Sequence, residues 1–517
     1  MRALLPPWVL HGPLLYWPVG AFLLSLTATW VVLRLALRPL RREPDAHWTE
    51  RARLAFPVRS LAMVCLLLTV VPVFAIGAGL DRVGRLTLVL TALAGWLGVL
   101  VNEVRAASVI RRSPVTLRMG MRGWAILLLL LYPHLLIFFA LLAAMPGEMG
   151  PRAWAVLAAG TLAMLLLIRF SGIPLLRALK LARPASPRLQ AIVEQTARRV
   201  GIRPAAVWEL SWPATNAAAF PWPNCLAFSE ALVEDFSDEE IGAIAVHELS
   251  HLTEPRSVQI SRTFGAWLLL PLAAVSPILG SYGLLAFLGV YTLTLLALLA
   301  IRRLARRMEV RADALSREHQ EEEGIYARAL EHVYRANQMP AVLRGKRKVH
   351  PDLYDRLLAV GVQPDYPRPA PPRRPFVLTA AAMILFAMGW LGLGYGLPRA
   401  VAPLLSQERQ ILLRAALWGA SEVDVVGELA FARLEEGKTR EALELFRTAL
   451  ARHPDDIHLL ISLAQVLDSE ERCEEARQVF AGFEVQLAAK PSEERELWAE
   501  SLPYLLQTCR AEAPRAR

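Results

Sequence analysis

Histidines at 247 and 251 flank Glu248, Leu249 and Ser250 in the run His247-Glu248-Leu249-Ser250-His251. Four residues of α-helix turn about 400°, so the two imidazoles share one face roughly 6 Å apart along the axis. From there both reach a single tetrahedral metal. Glu248, about 100° further round, meets the water that such a metal activates. This is the zinc-helix signature of a metallopeptidase. A third protein donor is required. Glu254 is too close along the same helix to swing round to the metal. Glu309, in Arg306-Arg307-Met308-Glu309-Val310-Arg311-Ala312-Asp313, is the better choice. It opens a new helical pattern that puts Glu309 and Asp313 on one face, where Asp313 accepts a hydrogen bond from a ligand histidine and fixes its tautomer.

The elements that must position these groups are legible nearby. Ser237 followed by Asp238, Glu239 and Glu240 is a capping box, and its acidic first turn suits the positive end of the helix dipole. The zinc helix thus starts in polar sequence, which argues against a site inside the bilayer. Before it, Ser186 to Val200 is expected to be helical. Strands are expected at Val207–Ser211 and Leu226–Ser229, with Asn216–Phe220 between them and a turn at Pro221–Asn224. A strand edge beside a zinc helix can hold an extended peptide by main-chain hydrogen bonds. After it, 302–362 carries Glu309, Asp313, a helix around 321–338 and the run from Val349 to Leu357, which contains His350 and Arg356.

The 517 residues are 55% hydrophobic, which excludes an ordinary soluble enzyme and points to several membrane spans. About eight are expected, at 14–36, 60–80, 86–102, 124–145, 153–170, 264–280, 283–301 and 376–397. The first is retained, since no small-residue cleavage site follows it. The sixth and seventh form a hairpin that turns at Gly280–Gly283. Arginines cluster after the first, third, fifth and seventh spans, as in Arg38, Arg111, Arg177 and Arg303, and the intervening loops are almost free of them. The positive-inside rule makes those sides, and the zinc motif with them, cytoplasmic, and it exports the C-terminus. The net charge of +10 is therefore no nucleic-acid signal: residues from 399 onward carry −6 and the rest +16.

The expected organisation is a mainly α polytopic helical bundle with a small α+β peptidase domain. An N-terminal membrane region covers 1–170, and the peptidase domain covers 171–362, interrupted by the hairpin at 264–301. A linker with six prolines occupies 363–375 and the last span 376–397. A tetratricopeptide-like α-solenoid fills 403–517. The solenoid rests on a 34-residue period: Leu429, Ala430, Ala442 and Phe446 recur as Leu463, Ala464, Ala476 and Phe480, and Leu497 extends the period. Such repeats bind peptides or partner proteins. Of the four cysteines, Cys65 lies in a span and Cys225 near the zinc motif. Cys473 and Cys509 share the tail, open to either a disulfide or two thiols.

Taken together, the chain resembles the membrane gluzincin family that includes the heat-shock protease HtpX and the CaaX prenyl endopeptidases. The resemblance covers roughly 171–362 and rests on Asn216-Ala217, His247-Glu248-Leu249-Ser250-His251, Glu309 with Ala312-Asp313, and His350-Pro351 with Arg356 six residues after the histidine. It implies one zinc ion on His247, His251 and Glu309, Glu248 as general base and acid, and Asp313 behind the ligands. It puts Asn216 on the substrate-binding edge and gives His350 and Arg356 to the tetrahedral oxyanion. The chain departs from the family in lacking Phe directly after Asn216-Ala217, which bears on substrate preference. The expectation is a zinc-dependent membrane endopeptidase acting on proteins or peptides at the cytoplasmic face of the inner membrane. Its rivals are a catalytically degenerate scaffold that recruits partners through its repeats, and a transporter, for which His134 in the fourth span is the best support.

Overall fold

In the computed structural model the described residues are 12–76, 82–131, 133–170, 172–259, 270–343, 352–359, 361–418 and 421–490, with a few more up to Cys509. His350 and Leu497 lie outside them. The chain divides into two units, one of 25–79 and 95–386, the other of 1–24, 80–94 and 387–517.

Helices come first: α1 (Gly12–Ala36), α2 (Trp48–Ile76), α3 (Arg82–Arg111), α4 (Leu117–Ile126), α5 (Pro133–Ala144) and α6 (Pro151–Phe170). Among the described residues five helices are long and apolar enough to cross a bilayer: Leu14–Ala36, Trp48–Val70, Thr87–Arg111, Pro277–Glu318 and Phe376–Leu404. The segment expected as a fourth span is helical over its described residues, with a local change of helix type. A π-turn at Leu127–Leu131 precedes Pro133, which offers no N–H to a preceding turn. Within the first unit α2 and α3 meet closely at Gly95, where an added Cβ would sit 2.1 Å from the Thr69 methyl.

The peptidase-type domain follows: β1 (Ala182–Pro184), α7 (Pro187–Val200), β2 (Ala206–Leu210), β3 (Ala217–Phe220), β4 (Cys225–Ser229), α8 (Asp238–Leu252), α9 (Val275–Glu318), α10 (Ile325–Ala336) and α11 (Leu353–Ala359). The two expected strands are present within a four-stranded sheet of order β1-β2-β4-β3. β2 and β4 pair in parallel, with Val207 opposite Leu226. β3 hairpins antiparallel onto β4, with Phe220 opposite Cys225, through a turn in which Asn224 takes φ 48°. Alternation divides the buried β4. Leu226 and Phe228 face a core with Leu189, Val193, Ile241 and Leu249, while Ala227 faces Ile126, Leu176 and Leu210.

The long α9 is broken once and departs from the expectation nearer its end. The backbone breaks at Gly283, with φ 76° and ψ −178°, inside the expected hairpin turn, and a side chain resists that conformation. Ala286, Phe287 and Val290 pack back against Ala274 and Ile278. Beyond it no new helix starts near Glu309. The same helix runs on through the arginines to Glu318, because nothing between Leu284 and Glu318 except Gly289 weakens it.

After α12 (Phe376–Leu391), most of which belongs to the first unit, the second unit contains α13 (Gln407–Trp418), α14 (Glu422–Glu435), α15 (Thr439–Leu450), α16 (Ile457–Ser469) and α17 (Cys473–Ala488). The repeated positions form its core: Ala430, Ala442 and Phe446 are buried, as are Leu463, Ala464, Ala476 and Phe480. Gly437 takes φ 74° at the turn between α14 and α15. A disulfide joins Cys473 to Cys509, and Asp468 accepts hydrogen bonds from the main-chain N–H groups of Thr508 and Cys509.

Candidate metal centre

The zinc-type helix α8 is the central helix of its domain, packed against α7, β3, α9 and α10. Its start is fixed as expected: the Ser237 hydroxyl accepts from the Glu240 N–H, and the Glu240 carboxylate accepts from the Ser237 N–H. Ile241, Ala245 and Leu249 anchor one side in the core, which turns His247 and His251 toward α9.

There Glu309 meets them. Its carboxylate oxygens lie 3.5 Å from His247 Nε2 and 3.8 Å from His251 Nε2. One donor atom from each of the three residues falls within 4.8 Å of the others. Tetrahedral zinc with bonds of about 2.1 Å puts its donors roughly 3.4 Å apart, so the observed spacing suits that ion. The chemistry of the set, two imidazoles and one carboxylate, is also that of a catalytic zinc site.

The outer nitrogens decide which atoms face inward. His247 Nδ1 lies 3.4 Å from Asp313 Oδ1 and 2.9 Å from the Tyr326 hydroxyl, which itself donates to Asp313 Oδ1 at 2.6 Å. His251 Nδ1 lies 2.7 Å from Glu254 Oε1. With both Nδ1 atoms engaged by carboxylates, both Nε2 atoms are left to a metal. Glu254 is thus no ligand, and the short link that excludes it from the metal puts it within reach of His251. Sequence reasoning found Asp313 but missed Tyr326 and the role of Glu254. The three-residue step from His251 to Glu254 was visible, whereas nothing local links Tyr326 to His247, 79 positions away.

Charge follows from this enclosure. Burial pushes the His247 imidazole down, but the carboxylates of Asp313, Glu309 and Glu248 outweigh it and hold it up at about 9. Burial raises the Tyr326 phenol well above its ordinary range, which makes it a neutral donor. A raised imidazole stabilises the fold fully below its unfolded pKa near 6.5 and loses that contribution as pH climbs through 9. Chelator-treated protein should therefore melt at progressively lower temperature from pH 6.5 to 9, and His247→Gln should flatten that slope; a thermal-shift series reads both.

Glu248 is half-buried beside His247 on α8. Asn216 immediately precedes the edge strand β3: its N–H donates to Ser229 Oγ at 3.0 Å and its carbonyl accepts from the Ser229 N–H at 2.9 Å. The resemblance assigns the oxyanion to Arg356. This arginine is 91% buried behind the histidine, and its Nη2 donates to Asp313 Oδ1 and, at 3.0 Å, to the Tyr326 hydroxyl. A guanidinium held there steadies the carboxylate that steadies His247. His134 is half-buried on α5.

Two convergent histidines and a carboxylate beside an internal glutamate, on a multi-helix membrane-type body, define a metallopeptidase centre of the His-Glu-x-x-His class. Residues 184–361 match the model of peptidase family M48, so this part of the chain is similar to the peptidases of that family. Residues 433–482 match a tetratricopeptide repeat model. No curated protein matches the chain. With each motif position filled, a degenerate scaffold is not favoured.

Replacing Glu254 tests the outer layer. Glu254→Gln keeps an acceptor but removes the charge that orients His251, so zinc affinity should fall roughly 10- to 100-fold. Competition with a fluorescent chelator would measure it, and activity should return at saturating zinc.

Proposed function

We propose that the protein is a zinc-dependent endopeptidase of the inner membrane that cleaves membrane-associated proteins or peptides at the cytoplasmic face. The observation that carries this reading is the meeting of His247, His251 and Glu309, from two separate helices, at spacings that suit one zinc ion. Zinc held by these three side chains supplies the Lewis acidity that makes water a nucleophile near neutral pH.

The chain's own residues do the rest. Glu248 takes the proton of the attacking water and returns it to the leaving amine. Asp313, Tyr326 and Glu254 hold the Nδ1 atoms of the two imidazoles, which turns both Nε2 atoms toward the metal position. Arg356 acts through Asp313 and Tyr326 as a positioning residue, and the oxyanion falls to His350. An extended substrate pairs with the outer edge of β3, which among the described residues has only β4 as a sheet neighbour, with Asn216 just before it. The repeats of the tail, which the charge distribution exports, recruit a protein partner.

The test is cleavage of a membrane-protein panel by the purified full chain, with and without chelator. Cleavage that chelation leaves untouched would overturn the metal-dependent reading. Trapping with a Glu248→Gln variant in native membranes would then identify substrates.

A further inference from the structure

A cavity of about 470 Å³ shares no lining residue with the metal centre. Its walls come from the start of α2, the end of α3 and the second half of α10. Arg51, Arg111, Arg112 and Arg335 line it, against only Glu331 and Asp365 as carboxylates, an excess of two positive charges. The two deeper guanidiniums are held by carbonyl groups. Arg51 donates to the Pro44 and Ile110 carbonyls at 3.1 and 3.2 Å, and Arg111 to the Pro213 carbonyl at 2.7 Å. Carbonyls satisfy N–H groups without neutralising the charge; Asp45 beside Arg51 and Glu331 beside Arg335 offset it only in part. Arg112 and Arg335 are exposed at the rim. Among the described residues none of the four forms an ion pair with a carboxylate.

Position says what such a cavity meets. The membrane-type segments Trp48–Val70 and Thr87–Arg111 respectively begin and end at its walls. That is the depth of lipid head groups, where basic pockets between helix ends collect anionic ones. The volume is within the range of small-molecule sites.

We propose that this cavity binds a phosphate group of net negative charge, gripped by Arg112 and Arg335 with Arg51 and Arg111 behind, and supplied by the head group of an anionic phospholipid. Bound there, the phosphate ties the ends of α2 and α3 to α10. The same helix carries Tyr326 to His247, so occupancy stiffens the support of the metal site.

The experiment is a thermal-shift measurement on the full chain in neutral detergent. Phosphatidylglycerol, phosphatidylcholine and inorganic phosphate are added separately. Arg112→Gln/Arg335→Gln is compared with wild type and with a charge-matched control, Arg38→Gln/Arg42→Gln, whose exposed arginines lie away from the cavity. Phosphatidylglycerol should raise the melting temperature of wild type and control by several degrees and phosphatidylcholine should not, while the Arg112/Arg335 variant should lose at least half of the shift. Both rim residues are exposed, so the variant should melt like wild type without lipid. An equal response in all three proteins, an equal loss in the control, or an equal effect of phosphatidylcholine would overturn the site. If inorganic phosphate alone reproduces the full, variant-sensitive shift, the lipid source is overturned and a phosphate site stands.

Discussion

Glu248→Gln should abolish peptide cleavage while leaving one zinc ion per chain. The carboxamide is nearly isosteric, and Glu248 is not among the three donors that converge, so the metal has no reason to leave. What disappears is the base that accepts a proton from water and delivers it to the amine. General acid–base catalysis contributes about 10²- to 10⁴-fold, or roughly 3 to 5 kcal/mol of barrier. Single-turnover cleavage of a fluorogenic peptide, paired with elemental analysis of the same preparation, reads both halves. A variant with undiminished turnover would remove Glu248 from the mechanism.

Glu309→Ala should give the opposite pairing, with metal and activity lost together. Glu309 is 8% exposed and supplies the only carboxylate of the donor set. Without it two imidazoles remain on one helix, too few for a stable zinc site. The loss of affinity should exceed the roughly 100-fold upper range for an outer hydrogen-bond partner such as Glu254. Wild-type zinc content in Glu309→Ala would show that another donor completes the site. The two variants together separate holding the metal from using it, which activity measurements alone do not.

Much of this site is readable in one dimension because α-helical geometry is local. His247, Glu248 and His251 lie within five residues, and 3.6 residues per turn fixes their faces without a tertiary fold. The Ser237–Glu240 cap is likewise a contact across three residues, and it forms as read. Glu309 and Asp313 were found by the same four-residue step, and the 34-residue period of the tail survives as buried alanines and phenylalanines at the repeated positions.

What the sequence alone determined, then, is what short-range periodicity encodes: the donor types, the helix that presents two of them, the apolar spans and the repeats. The tertiary structure decided which groups stand behind the ligands. Tyr326 reaches His247 and Asp313 from another helix, and Arg356 turns onto Asp313 across 43 residues. The parallel pairing of β2 with β4, which leaves β3 as an edge, was equally invisible. Such contacts depend on how helices and strands pack around a shared core, and no spacing along the chain encodes the distance between residues that only packing brings together.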